Sequence, residues 1–122
     1  MEPDIAKILR MKKQDQSDAM LSIFKGLLDK DVEAISTAMK GLIEEVNRIA
    51  NDEEYIRLCE TNLNLVRSLP EDTAEKIIRS RLKAQADLPD SERSRDSKNL
   101  AEALKNVDRD GKIGKIIQKI GA

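Results

Sequence analysis

The sequence is poor in the residues that perform most side-chain chemistry. It contains no His and no Trp, and it has one residue each of Cys, Tyr and Phe. Without His there is no imidazole base, no Ser-His or Cys-His nucleophile pair and no His ligand for a metal ion. Two aromatic residues, Phe24 and Tyr55, are also too few to build the platform on which single-stranded nucleic acids stack.

Several larger features are missing as well. The five Gly residues form neither of the glycine-rich patterns that cradle nucleotide phosphates. No run approaches the roughly eighteen apolar residues of a membrane span, and charges interrupt residues 1–13 too often for a signal peptide. One Cys cannot form a disulfide framework within the chain. We therefore expect a cytoplasmic protein that does not enter a membrane.

The charges that are present almost cancel, and the chain is long enough to fold. It has 122 residues, with 22 Lys and Arg against 23 Asp and Glu, and 39% of its residues are hydrophobic. That length fits one domain, and that apolar fraction is too high for a disordered chain of this charge balance. The sequence predicts a single domain over residues 1–122.

Apolar residues recur at intervals of three and four positions throughout, without the sustained alternation of a strand. The clearest segment is 32–50, whose apolar seam is spaced four, three, four and three: Ile35, Met39, Leu42, Val46 and Ile49. The composition, rich in Leu, Ile, Ala, Lys and Glu, also favours helices over strands. The sequence predicts an all-α fold, a compact bundle of about five to six short antiparallel helices.

Two features qualify this helical pattern. Residues 88–98 are so polar that they predict a mobile linker or a solvated start of the following helix. Internal repeats of about 34 or 40 residues, which mark solenoid proteins, are not visible in the sequence.

The single Cys, Cys59, falls on an apolar helical stripe between Ile56 and Leu63, so we expect a small core residue rather than a reactive thiol.

The most specific local pattern lies near the carboxyl end. Residues 106–113 resemble the first eight positions of an EF-hand calcium loop, with acidic or amide residues at positions one, three and five and Gly at six. The resemblance implies four ligands, the last through its backbone carbonyl: Asn106, Asp108, Asp110 and Lys112. Position twelve, which normally supplies two carboxylate oxygens, is Ile117. The sequence therefore favours an ordinary turn, and a degenerate calcium-responsive module is the alternative.

The carboxyl-terminal segment 111–122 is the basic part of the chain. It holds three Lys residues and no acid, so an amphipathic helix there could meet nucleic acid. Three cations are few for phosphate binding, where six or more contacts are common. Clustered carboxylates at 44–45 and 52–54 suggest a metal-dependent enzyme only weakly, because no second matching cluster is evident.

The leading hypothesis is a non-catalytic helical protein-interaction module with no cofactor. Its partner would be another protein or a second copy of the chain in a homodimer, while nucleic acid is the alternative partner. Two apolar stripes are the predicted contact surfaces, because large exposed apolar patches mark interfaces. They comprise Ile35, Met39, Leu42 and Val46 in the first stripe and Ile113, Ile116, Ile117 and Ile120 in the second.

Overall fold

A computed structural model of the chain describes residues 4–121, which form seven α-helices and no strand. Their bounds are α1 Ile5–Leu9, α2 Lys13–Leu27, α3 Val32–Ile49, α4 Asp52–Arg67, α5 Glu71–Ala86, α6 Asp90–Val107 and α7 Lys112–Ile120. The all-α prediction is confirmed. The predicted count of five to six helices is too low, because the five-residue α1 and the nine-residue α7 are separate elements.

Local capping chemistry explains where α3 and α4 begin. The Asp31 side chain accepts a hydrogen bond from the Ala34 amide at 2.8 Å at the start of α3. At the start of α4, Asn51 accepts from the Glu54 amide and the Glu54 carboxylate accepts from the Asn51 amide. Such caps satisfy amides that have no partner within the helix, and the reciprocal pair forms a capping box.

The helices are arranged in two layers of alternate elements. α1, α3, α5 and α7 lie side by side in one layer, and α2, α4 and α6 lie side by side in the other. Alternate helices consequently start at intervals of 38 to 41 residues from α2 onward. The structure thus has a period that the sequence does not show, because the packing repeats while the residue types do not.

The polar stretch at 88–98 belongs to this framework. Residues from Asp90 onward form the first half of α6, so the linker alternative is not what the structure shows. The stretch is not fully solvated either, because Asp96 is completely buried. The sequence conceals this helix because polar residues occupy part of its buried face. Mobility of the stretch in solution stays a prediction.

Basic side chains close the carboxyl ends of four helices, each from the helix three further along the chain. Arg57 of α4 donates to the Met11 carbonyl beyond α1 at 2.7 Å, and Lys76 of α5 donates to Leu28 beyond α2 at 3.1 Å. Arg95 of α6 donates to the Ala50 carbonyl at the end of α3 at 2.7 Å. Lys112 of α7 donates to the Arg67 carbonyl at the end of α4, also at 2.7 Å. Cations at these ends also oppose the negative pole of the helix dipole.

Candidate binding cleft

Most of the predicted contact residues lie inside the protein. Of the eight, five are at most 7% exposed, and they are Ile35, Met39, Val46, Ile113 and Ile116. The other three, Leu42, Ile117 and Ile120, are half-buried. The two stripes therefore build the core of a single chain, and only their margins reach solvent. A homodimer stays a prediction.

An apolar cleft lies among the helices, with a cavity of about 280 Å³. Its lining comes from both layers, and it includes half-buried aliphatic side chains from five helices: Ile23, Leu42, Leu82, Leu100, Leu104 and Ile117. The exposed Ser97 and Ala101 of α6 also line it, so the cleft reaches the surface along that helix. We call this space the interlayer cleft. Five of the eight predicted contact residues line it: Met39, Leu42, Val46, Ile113 and Ile117.

The polar groups of the interlayer cleft are few. Tyr55, Cys59 and Asn62 follow one another at helical spacing on one face of α4, and Arg81 and Gln85 come from α5. Cys59 is buried, as predicted, and burial raises the pKa of its thiol to about 11. The thiol is consequently protonated and unreactive near neutral pH.

Asp96 is the centre of a buried hydrogen-bond network that joins three helices. Its carboxylate accepts two hydrogen bonds from the Arg81 guanidinium, both at 2.7 Å. It also accepts the Tyr55 hydroxyl at 2.5 Å and the Gln85 amide at 2.9 Å. We call Tyr55, Arg81, Gln85 and Asp96 the Asp96 network. Because all of its donors bind one carboxylate, the network joins α4, α5 and α6.

The network fixes the protonation states of its members. Burial alone would raise the pKa of Asp96, but the hydrogen bonds and charge of Arg81 outweigh it and lower that pKa below its ordinary value. Burial, and then the neighbouring Asp96 carboxylate, raise the pKa of the Tyr55 hydroxyl. Arg95 adds a cation over the Tyr55 ring, 5.0 Å from its centroid. No group of the Asp96 network is therefore poised to exchange a proton near neutral pH.

Asn62 carries the one buried side-chain oxygen or nitrogen atom that has no hydrogen-bond partner among residues 4–121. Its Oδ1 atom is buried and accepts no hydrogen bond. The cost of such an orphaned acceptor is about 1–3 kcal/mol. An acceptor of this kind in an apolar cavity is satisfied when a guest or a water molecule brings a donor to it.

The predicted calcium-loop residues are engaged by the protein itself. Arg67 donates to Asp108 at 2.6 Å and to both oxygens of Asp110 at 2.6 and 2.9 Å. The Asp108 carboxylate also accepts the Ile113 and Gly114 amides at the start of α7. Hydrogen bonds from Arg67, and then from the Lys112 amide, hold the pKa of Asp110 far below its usual range.

The other two residues of that loop point elsewhere. The Asn106 amide donates to the Glu60 carboxylate of α4 at 2.7 Å, and the Lys112 ammonium caps α4 as described above. The three predicted side-chain ligands, Asn106, Asp108 and Asp110, thus all have hydrogen-bond partners within the protein. Across residues 4–121, no three Asp, Glu or Cys side chains are grouped closely enough to hold a metal ion.

We expect no calcium affinity tighter than millimolar, because a calcium ion would have to displace Arg67 and three backbone amides from the carboxylates. Isothermal titration calorimetry at low ionic strength measures this directly. Arg67→Gln is the matched variant, since it removes the guanidinium from both carboxylates and leaves an uncharged polar side chain in its place. A micromolar dissociation constant for the unaltered chain contradicts the prediction.

The basic carboxyl-terminal segment is also largely occupied. Of its three lysines, Lys112 caps α4, and Lys119 lies 3.3 Å from the Glu75 carboxylate. The remaining one, Lys115, is exposed. No observation here favours the nucleic-acid alternative, which stays a prediction.

Comparison of the chain with protein-family models, with curated proteins and with solved structures finds no match. None of the helices in the part of the chain that the structure describes combines the length and apolar character needed to cross a bilayer.

Sequence reasoning missed two residues that line this cleft, Asn62 and Arg81, and the Asp96 carboxylate that pairs with Arg81. A usable signal exists for Asp96, because Asp96, Asn99 and Ala103 are spaced three and four apart and share a buried face of α6. The signal is hidden because periodicity is counted on apolar residues, and two of these three are polar. Nothing local distinguishes Asn62 from a solvated amide.

Proposed function

We propose that this chain is a non-catalytic interaction module whose contact element is the interlayer cleft, which receives an apolar guest. The observation that carries the proposal is the set of half-buried aliphatic side chains around a cavity of about 280 Å³. Ligand sites are characteristically concave and mostly apolar, with a small number of polar groups that orient the ligand. The protein partner predicted from the sequence is one source of such a guest.

The polar groups of the cleft support a binding role over a catalytic one. Arg81 and Asp96 are bonded to each other, and the pKa values of Cys59 and Tyr55 are both raised. General acid–base catalysis favours groups whose pKa lies near the working pH. The side chains in and beside the cleft instead hold fixed charges and fixed protons, which suits the recognition of a guest.

The test uses 4-(dimethylamino)benzonitrile, an uncharged dye of eleven heavy atoms whose fluorescence rises in apolar sites, and the variant Leu104→Trp, which narrows the cleft. The larger indole takes up space that the dye needs, so we expect the dye affinity to fall about tenfold, which corresponds to about 1.4 kcal/mol. Leu65→Trp is the control, because Leu65 is equally half-buried on α4 but lies outside the cleft lining. Equal dye affinity for the two variants, or no dye binding by the unaltered chain, refutes the proposed role of the cleft.

A further inference from the structure

The size of the cleft separates a small guest from a helix. An apolar protein cavity of about 150 Å³ accommodates benzene, which has six heavy atoms. In proportion, the cavity of about 280 Å³ holds about eleven heavy atoms. One turn of α-helix has about 3.6 residues, and its backbone alone has about fourteen heavy atoms, which exceeds that number before any side chain is added. The interlayer cleft is therefore too small for a helix and large enough for a medium-length alkyl chain.

The charge of the cleft selects against a charged guest. Its one formally charged lining residue, Arg81, is neutralised by the two hydrogen bonds from its guanidinium to Asp96. The other polar lining side chains, such as Asn62, Gln85 and Ser97, are uncharged. Burying an unpaired charge among aliphatic side chains is costly. An uncharged guest consequently fits better than a carboxylate or an ammonium ion.

The orphaned Asn62 oxygen identifies the polar group that the guest carries. This buried acceptor requires a donor, and the uncharged group that brings one in the smallest volume is a hydroxyl. A guest with its hydroxyl on Asn62 can lay an alkyl chain against the aliphatic side chains of the same cavity, such as Leu100 and Leu104. The pairing satisfies the acceptor and removes apolar surface from water in one event.

We propose that the interlayer cleft binds an uncharged alkyl alcohol of about eleven heavy atoms, with its hydroxyl donating a hydrogen bond to Asn62 Oδ1. The inference rests on the proposed function and deepens it, because it assigns the chemical class of the guest. It also assigns Asn62 as the residue that discriminates between guests with and without a donor.

Four probes of eleven heavy atoms each test this inference by displacing 4-(dimethylamino)benzonitrile, the dye used above, from the intact chain. They are 1-decanol, methyl nonyl ether, nonanoate and decylammonium. We expect 1-decanol to displace the dye at a concentration at least about tenfold lower than the other three, since a tenfold difference corresponds to about one satisfied buried acceptor. The ether has no donor, and the two ions carry charges that the cleft does not match.

Asn62→Leu is the decisive variant. It removes the acceptor from a half-buried position and leaves no new unpaired group, so a melt followed by circular dichroism is expected to show a folded protein. We expect the preference for 1-decanol over the ether to fall to within about threefold, while the dye affinity itself is retained. An unchanged preference in Asn62→Leu overturns the assignment.

The remaining outcomes separate this inference from the proposed function. If the dye binds but all four probes displace it equally, the cleft receives apolar guests and the alcohol assignment is wrong. If the dye does not bind, the proposed function fails, and the inference that rests on it fails as well.

Discussion

Replacing Asp96 by Ala is expected to destabilise the protein by about 3–5 kcal/mol, because it leaves the half-buried Arg81 guanidinium without its counter-ion. The same change deprives the Tyr55 hydroxyl and the Gln85 amide of their acceptor. Domain stabilities are commonly about 5–15 kcal/mol, so this one substitution removes a large share. Urea unfolding followed by circular dichroism gives the free energy of unfolding.

Two further variants serve as controls for this prediction. Asp90→Ala, at a fully exposed position on the same helix, is expected to leave the urea midpoint unchanged. The double variant Asp96→Leu with Arg81→Met removes both charges and is expected to recover more than half of the loss, because no ion then remains unpaired. If Asp96→Ala is no more harmful than Asp90→Ala, the Asp96 network does not hold the helices together.

The same carboxylate sets an acid limit on stability. Its pKa is lower in the folded protein than in the unfolded chain, where Asp titrates near about 3.9. The contribution is therefore complete above about pH 4 and is lost as the pH falls toward the folded pKa. Asp96→Asn, which cannot titrate there, is expected to show a shallower loss of stability between pH 4 and pH 2.

The second large effect is expected at Ile35. This side chain is 0% exposed in α3, and Ile→Ala changes in cores cost about 2–5 kcal/mol through lost burial and the cavity left behind. Ile49 lies on the same seam of the same helix but is half-buried, so Ile49→Ala is expected to cost less than half as much. Both variants remove the same atoms, so the difference between their free energies of unfolding in urea measures the effect of burial.

This pair of variants also tests what the seam of α3 is for. The sequence predicts Ile35 as a contact for a partner, in which case its removal would weaken association and leave the isolated chain stable. The structure places Ile35 in the core of one chain. Equal and small losses for Ile35→Ala and Ile49→Ala would favour the contact interpretation.

Three features show how much local sequence patterns can predict. The seam of α3, its Asp31 cap and the burial of Cys59 follow from residues within a few turns of one another, and all three are present. Periodicity reports which face of a helix is apolar, but it does not report which helix covers that face. The division into alternate layers is consequently absent from the sequence pattern.

The candidate cleft was beyond local patterns for the same reason. The Tyr55 hydroxyl and the Asp96 carboxylate are separated by 41 residues, and Arg67 reaches Asp110 across 43. In both contacts, residues whose local sequence suggests exposure to solvent bind a side chain that is distant in the sequence. Asn62 differs from them because its distinguishing property is a missing partner, which only the three-dimensional surroundings can define.

The basic side chains that cap helices from three elements further along tie the two halves of the chain together. Each helix end and its capping cation are 45 to 48 residues apart. A fragment that stops after α4 keeps Arg57 but lacks Lys76, Arg95 and Lys112, so the carboxyl ends of α2, α3 and α4 have no side-chain donor from these residues. The capping of the early helices thus depends on residues in the second half of the chain.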